Sequence, residues 1–240
     1  MKYADSIDEL KIHVWNNCFK KRKIVKASEE LIVSHLEMVD AILQNIEETE
    51  RQIKKWEDLQ SVDAKYDFHE EIDLFHIIVE FYRVNGRLVL LELDVSTAYK
   101  HIFIVRTDYE YRFFARRLYT LMYEANKGLV IPAGQLYKKL ADKLETRSLE
   151  PYKSEHSKLH DFLSDHEDEL KDVRNSNEAH KFRDFEVQLK SIEKMSVARS
   201  IELIQEFNVY LANLTMVFMI VQGALSKKLG EIMRNQIERM

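Results

Sequence analysis

The stretch Lys171 to Glu186, KDVRNSNEAHKFRDFE, gathers the residue types that handle a phosphate. It holds a cation that stays charged, Arg174, an imidazole that titrates near neutrality, His180, and a polar neighbour, Asn175. Asn175 and Glu178 form an Asn-x-x-Glu pattern, a capping-box variant that predicts a helix start at Asn175. Arg174 is then expected just outside that helix and His180 in its second turn. In one uninterrupted helix, six residues would turn the two side chains about 120° apart. A helix start between them removes that obstacle, because Arg174 can fold back over the first turn. The two side chains and the unbonded amides of a helix N-terminus would together suit an anion.

A second set falls on a helix announced by the capping box Thr107-Asp-Tyr-Glu110. Arg112, Arg116, Tyr119 and Tyr123 lie at i, i+4, i+7 and i+11, on one face. Such a stripe can grip phosphates and stack bases. The same spacing serves a packed helix contact or a salt-bridged surface, and both readings stand. His156 and His160, at i and i+4 with Glu167 further on, place two imidazoles where a metal could bridge them. No third and fourth ligand accompanies them, so neither metal nor cofactor is expected.

Arg174, Asn175, Ala179 and His180, on a late helix of an all-helical chain, resemble the motif of the HEPN superfamily. The resemblance covers about the last half of the chain. It implies an all-α fold and, in most members, a metal-independent endoribonuclease of toxin or antiviral type whose site is completed by dimerisation. Some members have lost catalysis. Carried onto these residues, His180 would act as general acid/base and Arg174 would neutralise the charge that develops on the phosphate. Asn175 would orient either of them or cap the helix. The resemblance also implies a homodimer, and an antitoxin-like protein partner. Beside it stands a reading of a different class, a non-enzymatic helical bundle acting through protein partners, with the motif a structural cap.

The elements that must position these residues follow from composition. With 5 Gly and 2 Pro in 240 residues, the punctuation of sheets and long loops is scarce, which predicts an all-α bundle of seven to nine helices. The chain reads as one domain over 1–240, or as N-terminal helices over 1–60 appended to a bundle over 61–240. Lys and Arg number 36 against 41 Asp and Glu, so the net charge of −5 excludes a general affinity for nucleic acid. RNA contact would need a local basic patch. A single cysteine, Cys18, excludes an internal disulfide and a cysteine metal site. The charged N-terminus lacks the apolar core of a signal peptide, so a cytoplasmic protein is expected.

Along the chain, Ser6 to Glu9 predicts a first helix over about 6–19, ended by the basic run Lys20 to Lys23. Ser28 predicts the cap of a second helix to about Trp56, with Ile32, Leu36, Val39, Leu43, Ile46 and Ile53 facing the core. Asn85-Gly86 allows a hairpin, but Val84, Leu88, Leu91, Val95 and Ala98 keep a helical period through it, and helix is the expectation. Gly128 is expected to end the helix after Thr107, and Pro132 and Pro151 to lie in the first turns of two more. A last helix from Ser196 carries the apolar run Val209 to Leu225. This run is at the short limit for a membrane span and is expected to be buried as the centre of the bundle or the seam of a dimer, with no membrane contact.

Overall fold

The computed structural model describes residues 18–62, 68–105, 107–178 and 197–239, and among them every element is helical. In chain order they are α1 (Cys18–Val62), α2 (His69–Ile104), α3 (Asp108–Ala125), α4 (Ile131–Ala141), α5 (Thr146–Asp165), α6 (Glu167–Glu178) and α7 (Val197–Arg239). A π-helical turn, Asn126–Val130, carries α3 into α4 without a break, so the described residues make six separate helical rods. That is fewer than the seven to nine expected. One reason is that most of the helix expected over about 6–19 falls outside the described residues; another lies at Gly128, which does not end α3. No described residue has a positive φ, so the left-handed C-terminal cap is not formed. The chain widens by one residue instead, and Pro132, at the start of α4, fits this junction because it has no amide to satisfy.

Other expected helix boundaries also fall elsewhere. Lys20 to Lys23 do not end a helix, and Ser28 is not a cap: both lie within α1, where Ser28 is buried. Pro151 sits inside α5 rather than in its first turn. The capping box Ser6 to Glu9 lies outside the described residues. Asn85-Gly86 runs through the middle of α2, as the apolar period predicted. The box at Thr107 forms as read: Glu110 N donates to Thr107 Oγ1 and Thr107 N to Glu110 Oε2, each at 3.1 Å.

The helices divide into two compact units that do not follow chain order. The first draws on α1 up to Leu36, on Leu90–Asn126 and on the described part of Leu159–Tyr210. Its core is built on Leu118, Met122, Leu159, Phe162, Leu203 and Phe207. The second comprises Glu37–Val89, Lys127–Lys158 and the described part of Leu211–Met240. There Phe218 stacks on Phe81 at 5.3 Å and meets Tyr152 at 5.4 Å. Tyr152 is fully buried, and its hydroxyl donates to the carbonyl of Ala133 at 2.9 Å. Burial raises the phenol's pKa, because a phenolate would lose its hydration there. The π turn is stitched to the same unit: His156 Nε2 lies 2.8 Å from Val130 O, and Arg87 Nη1 donates to Gly128 O at 3.4 Å. Gly134 makes room for this, since a Cβ there would come within 3.3 Å of the His156 ring.

α7 is long, but it is not buried all round. Leu211, Leu214, Val217, Phe218, Val221 and Leu225 are buried, while Val209, Met216, Met219 and Ile220 are more than half exposed. By length and composition Arg199–Asn235 could cross a membrane, yet a third of its most apolar window is already covered by the fold. α1 keeps part of the expected face, with Ile53 buried and Ile32, Val39 and Ile46 half-buried, but its most buried line lies to one side of it. Ser28, His35, Ile42 and Thr49 are buried at steps of seven, whereas Leu36 and Leu43 are exposed. In the first unit His35 Nε2 lies 3.4 Å from Glu92 Oε2, so a polar pair rather than a leucine takes the inward position.

Burial lowers the pKa of His35 below its ordinary 6.5, since the imidazolium is the form that loses hydration. An unfolded chain therefore binds the proton first. Stability contributed by neutral His35 is present above pH 6.5 and is lost as pH falls below it. Denaturant midpoints taken at about pH 7.5 and about pH 5.5, either side of that value, should fall in acid for the wild type, and fall less for His35→Gln.

Candidate functional site

In the first unit, α3 packs against α6, and α6 carries Arg174. α6 is a poor helix to pack by apolar contact, because Leu170 is the one residue from Glu167 to Asn175 that is fully buried. Its first turn is acidic, with Glu167, Asp168 and Glu169, which favours the N-terminal end of the helix dipole. What holds it is polar. Tyr119 of α3 donates its hydroxyl to Glu169 Oε1 at 3.0 Å, and Arg199 of α7 donates to Glu169 Oε2 at 3.3 Å. The same Arg199 Nη2 lies 3.3 Å from His166 Nδ1. Because a guanidinium can only donate, Arg199 is the donor in this contact.

Five residues further along both helices a second pairing repeats the pattern. Arg174 Nε lies 3.3 Å from Glu124 Oε1, and its guanidinium carbon stands 5.4 Å from the centre of the Tyr123 ring. The two contacts advance in the same direction along α3 and α6, so the helices run parallel. Arg174 is about one third exposed, and its cation is held by a carboxylate and an aromatic face. A phosphate arriving at Arg174 would compete with Glu124.

The structure thus places the motif residues differently from the expectation. Asn175 is not the cap of a new helix: α6 begins at Glu167 and runs through Arg174 and Asn175 to Glu178. Arg174 lies inside a helix, Asn175 is exposed on its surface, and the Asn-x-x-Glu pattern makes up the last turn of α6 rather than the first turn of a new helix. The pattern could not form a box there because the amides it would cap are already bonded within the helix. His180 lies outside the described residues, two positions past the end of α6.

The Arg112, Arg116, Tyr119, Tyr123 stripe faces inward. Arg112 and Tyr119 are buried, and Arg116 and Tyr123 are half-buried. The stripe is the packed helix contact, and it does not present a row of cations and rings to solvent. Burial comes first among the causes that raise the Tyr119 pKa, with the neighbouring Glu169 carboxylate acting in the same direction. His156 and His160 are also apart in role, since His156 meets Val130 O while His160 lies 3.3 Å from Asp161 on its own helix. Among the described residues no group of three or more His, Cys, Asp or Glu could hold a metal ion.

The sequence reading missed Glu169, Arg199 and Glu124. Tyr119 and Glu169 are 50 residues apart and Arg199 is a further 30 on, so no local spacing links them. The one available signal was the stripe itself, because an inward-facing Arg and Tyr require an acid on the neighbouring helix. Compared with family models, with curated proteins and with solved structures, the chain matches none.

If Glu169 pins α6, Tyr119→Phe should lower stability by about 1.5–3 kcal/mol, the usual worth of a hydrogen bond to a charged group. Glu169→Ala should do more damage, since it removes the acceptor for two helices at once. Thermal unfolding followed by circular dichroism measures both; an unchanged Tyr119→Phe midpoint would show that the network does not carry α6.

Proposed function

We propose that the chain acts on RNA in the cytoplasm, cleaving single strands without a metal, with Arg174 and His180 as the working pair. The observation that carries this reading is the setting of Arg174: a partly exposed cation, held by Tyr123 and Glu124, near the end of α6 and six residues before His180. The resemblance of Arg174, Asn175 and His180 to the HEPN motif supports it. In the proposed step the ribose 2′-hydroxyl gives up its proton as its oxygen bonds to the adjacent phosphorus. The 5′-oxygen of the next nucleotide leaves and is protonated. His180 moves these protons, and Arg174 neutralises the charge on the phosphate as it crowds to five oxygens. One imidazole cannot easily serve as base and acid at once, so two copies would complete the pair.

A second reading is favoured by a different observation, the outward face of the middle of α7, which carries no charge from Phe207 to Ser226. In it the chain is a non-enzymatic bundle that works by association, and the Arg174–Glu124 pair is structural. Incubating the full chain with a labelled single-stranded RNA in the presence of a chelator separates the two. On the first reading RNA is cut, His180→Ala lowers the rate by about 100- to 10,000-fold, and Arg174→Lys is also weak because Lys keeps the charge without the planar fork. Glu124→Gln, which removes the competing carboxylate, should tighten RNA binding. Absence of cutting, or cutting that His180→Ala leaves intact, would discard the catalytic reading and leave the association reading standing.

A further inference from the structure

We propose that α7 pairs with α7 of a second copy in antiparallel fashion, about a two-fold axis between Met216 and Met219. This inference does not rest on the RNA reading. It starts from an outward face that is unlike the rest of the surface. Charged residues make up 32% of the chain, yet none occurs from Phe207 to Ser226. Within that stretch Val209, Ala212, Met216, Met219, Gly223 and Ser226 are all exposed, at steps of 3, 4, 3, 4 and 3. Val209, Met216 and Met219 are 58%, 60% and 59% exposed. Alternating steps of three and four keep a straight seam along a helix, the pattern by which two helices interlock. The opposite face of α7 is covered by its own fold, so one seam is left for a partner.

What fits that seam follows from its ends. Glu206 stands just before the uncharged stretch and Lys227 just after it, and both are exposed. Laid on a second copy in the parallel sense, the face would set like charge against like. Reversed, it brings Glu206 to within two residues, about 3 Å of helix rise, of the level of Lys227 of the second copy, twice by symmetry. The same register places Met216 opposite Met219, Ala212 opposite Gly223 and Val209 opposite Ser226, all of the second copy. The bulky pair lies at the centre, and pairs containing a small residue on either side let the backbones approach. A surface complementary to itself under a two-fold rotation is what an isologous dimer requires.

Sedimentation velocity over a dilution series of the full chain, from micromolar to hundreds of micromolar, tests this. The wild type should show a reversible monomer–dimer equilibrium. Met219→Glu, at an exposed position, should be monomeric with an unchanged helical circular dichroism signal. Glu206→Lys alone should weaken the dimer on the order of tenfold, since two exposed pairs per dimer become repulsive. Combining it with Lys227→Glu in the same chain should restore the dimer. The double swap restores an antiparallel pairing only, and it stays informative even if Met219→Glu fails to fold. A monomer throughout the series would overturn the proposal, as would a dimer indifferent to Met219→Glu or a double swap that fails to restore it. Binding of the wild type to phospholipid vesicles that Met219→Glu abolishes, without any dimer, would overturn it in favour of a lipid surface.

Discussion

The carboxylate of Glu169 is the point on which the candidate site depends. α6 has almost no apolar surface to bury, so the hydrophobic effect that holds the longer helices holds this one weakly. Glu169 accepts from Tyr119 on one neighbour and from Arg199 on another, each with its own oxygen. Arg174 then repeats the device along the same pair of helices, through Glu124 and Tyr123. Ion pairs at a surface contribute little, but a hydrogen bond from a buried phenol to a carboxylate is stronger and has one geometry. Its directionality fixes α6 where apolar contact alone would let it slide.

Polar groups decide orientation elsewhere in the molecule too. α1 turns His35 inward beside Glu92 and leaves Leu36 and Leu43 in solvent. The line Ile32, Val39, Ile46 and Ile53 turns at least partly inward as its period predicted, but it is narrow, and the neighbours' chemistry decides which residues flank it. In the second unit the reverse holds. Tyr152, Phe81 and Phe218 form a continuous aromatic core, and the Tyr152 hydroxyl buried in it reaches a backbone carbonyl. The π turn is tolerated there because His156 and Arg87 engage the carbonyls that the widened turn presents.

Where the sequence was legible, the reason was local. The Thr107 box closes within four residues, and the donors and acceptors it needs are all inside that window. α2 passes through Asn85-Gly86 because its apolar period on either side outweighs the weak helix propensity of two residues. Where the reading failed, the deciding partner lay far away. Asn175 carries the letters of a cap, but a cap needs unbonded amides, and α6 had already started eight residues earlier at Glu167. Gly128 carries the letter of a helix end, but it remains in a right-handed turn that leads straight into Pro132.

The sequence by itself determined that the described chain is helical, because few Gly and Pro and a sustained apolar period leave the backbone no better way to bond its amides than to itself. It also determined that α7 is long and its central run apolar. Only the tertiary structure decided which side of each helix is covered. Thus Val209, Met216 and Met219 remain outside while Leu211, Leu214 and Phe218 are inside, and the Arg112–Tyr123 stripe is a packed contact. Periodicity names the faces of a helix, but which face is buried is set by residues brought from distant parts of the chain, and no local window contains both partners.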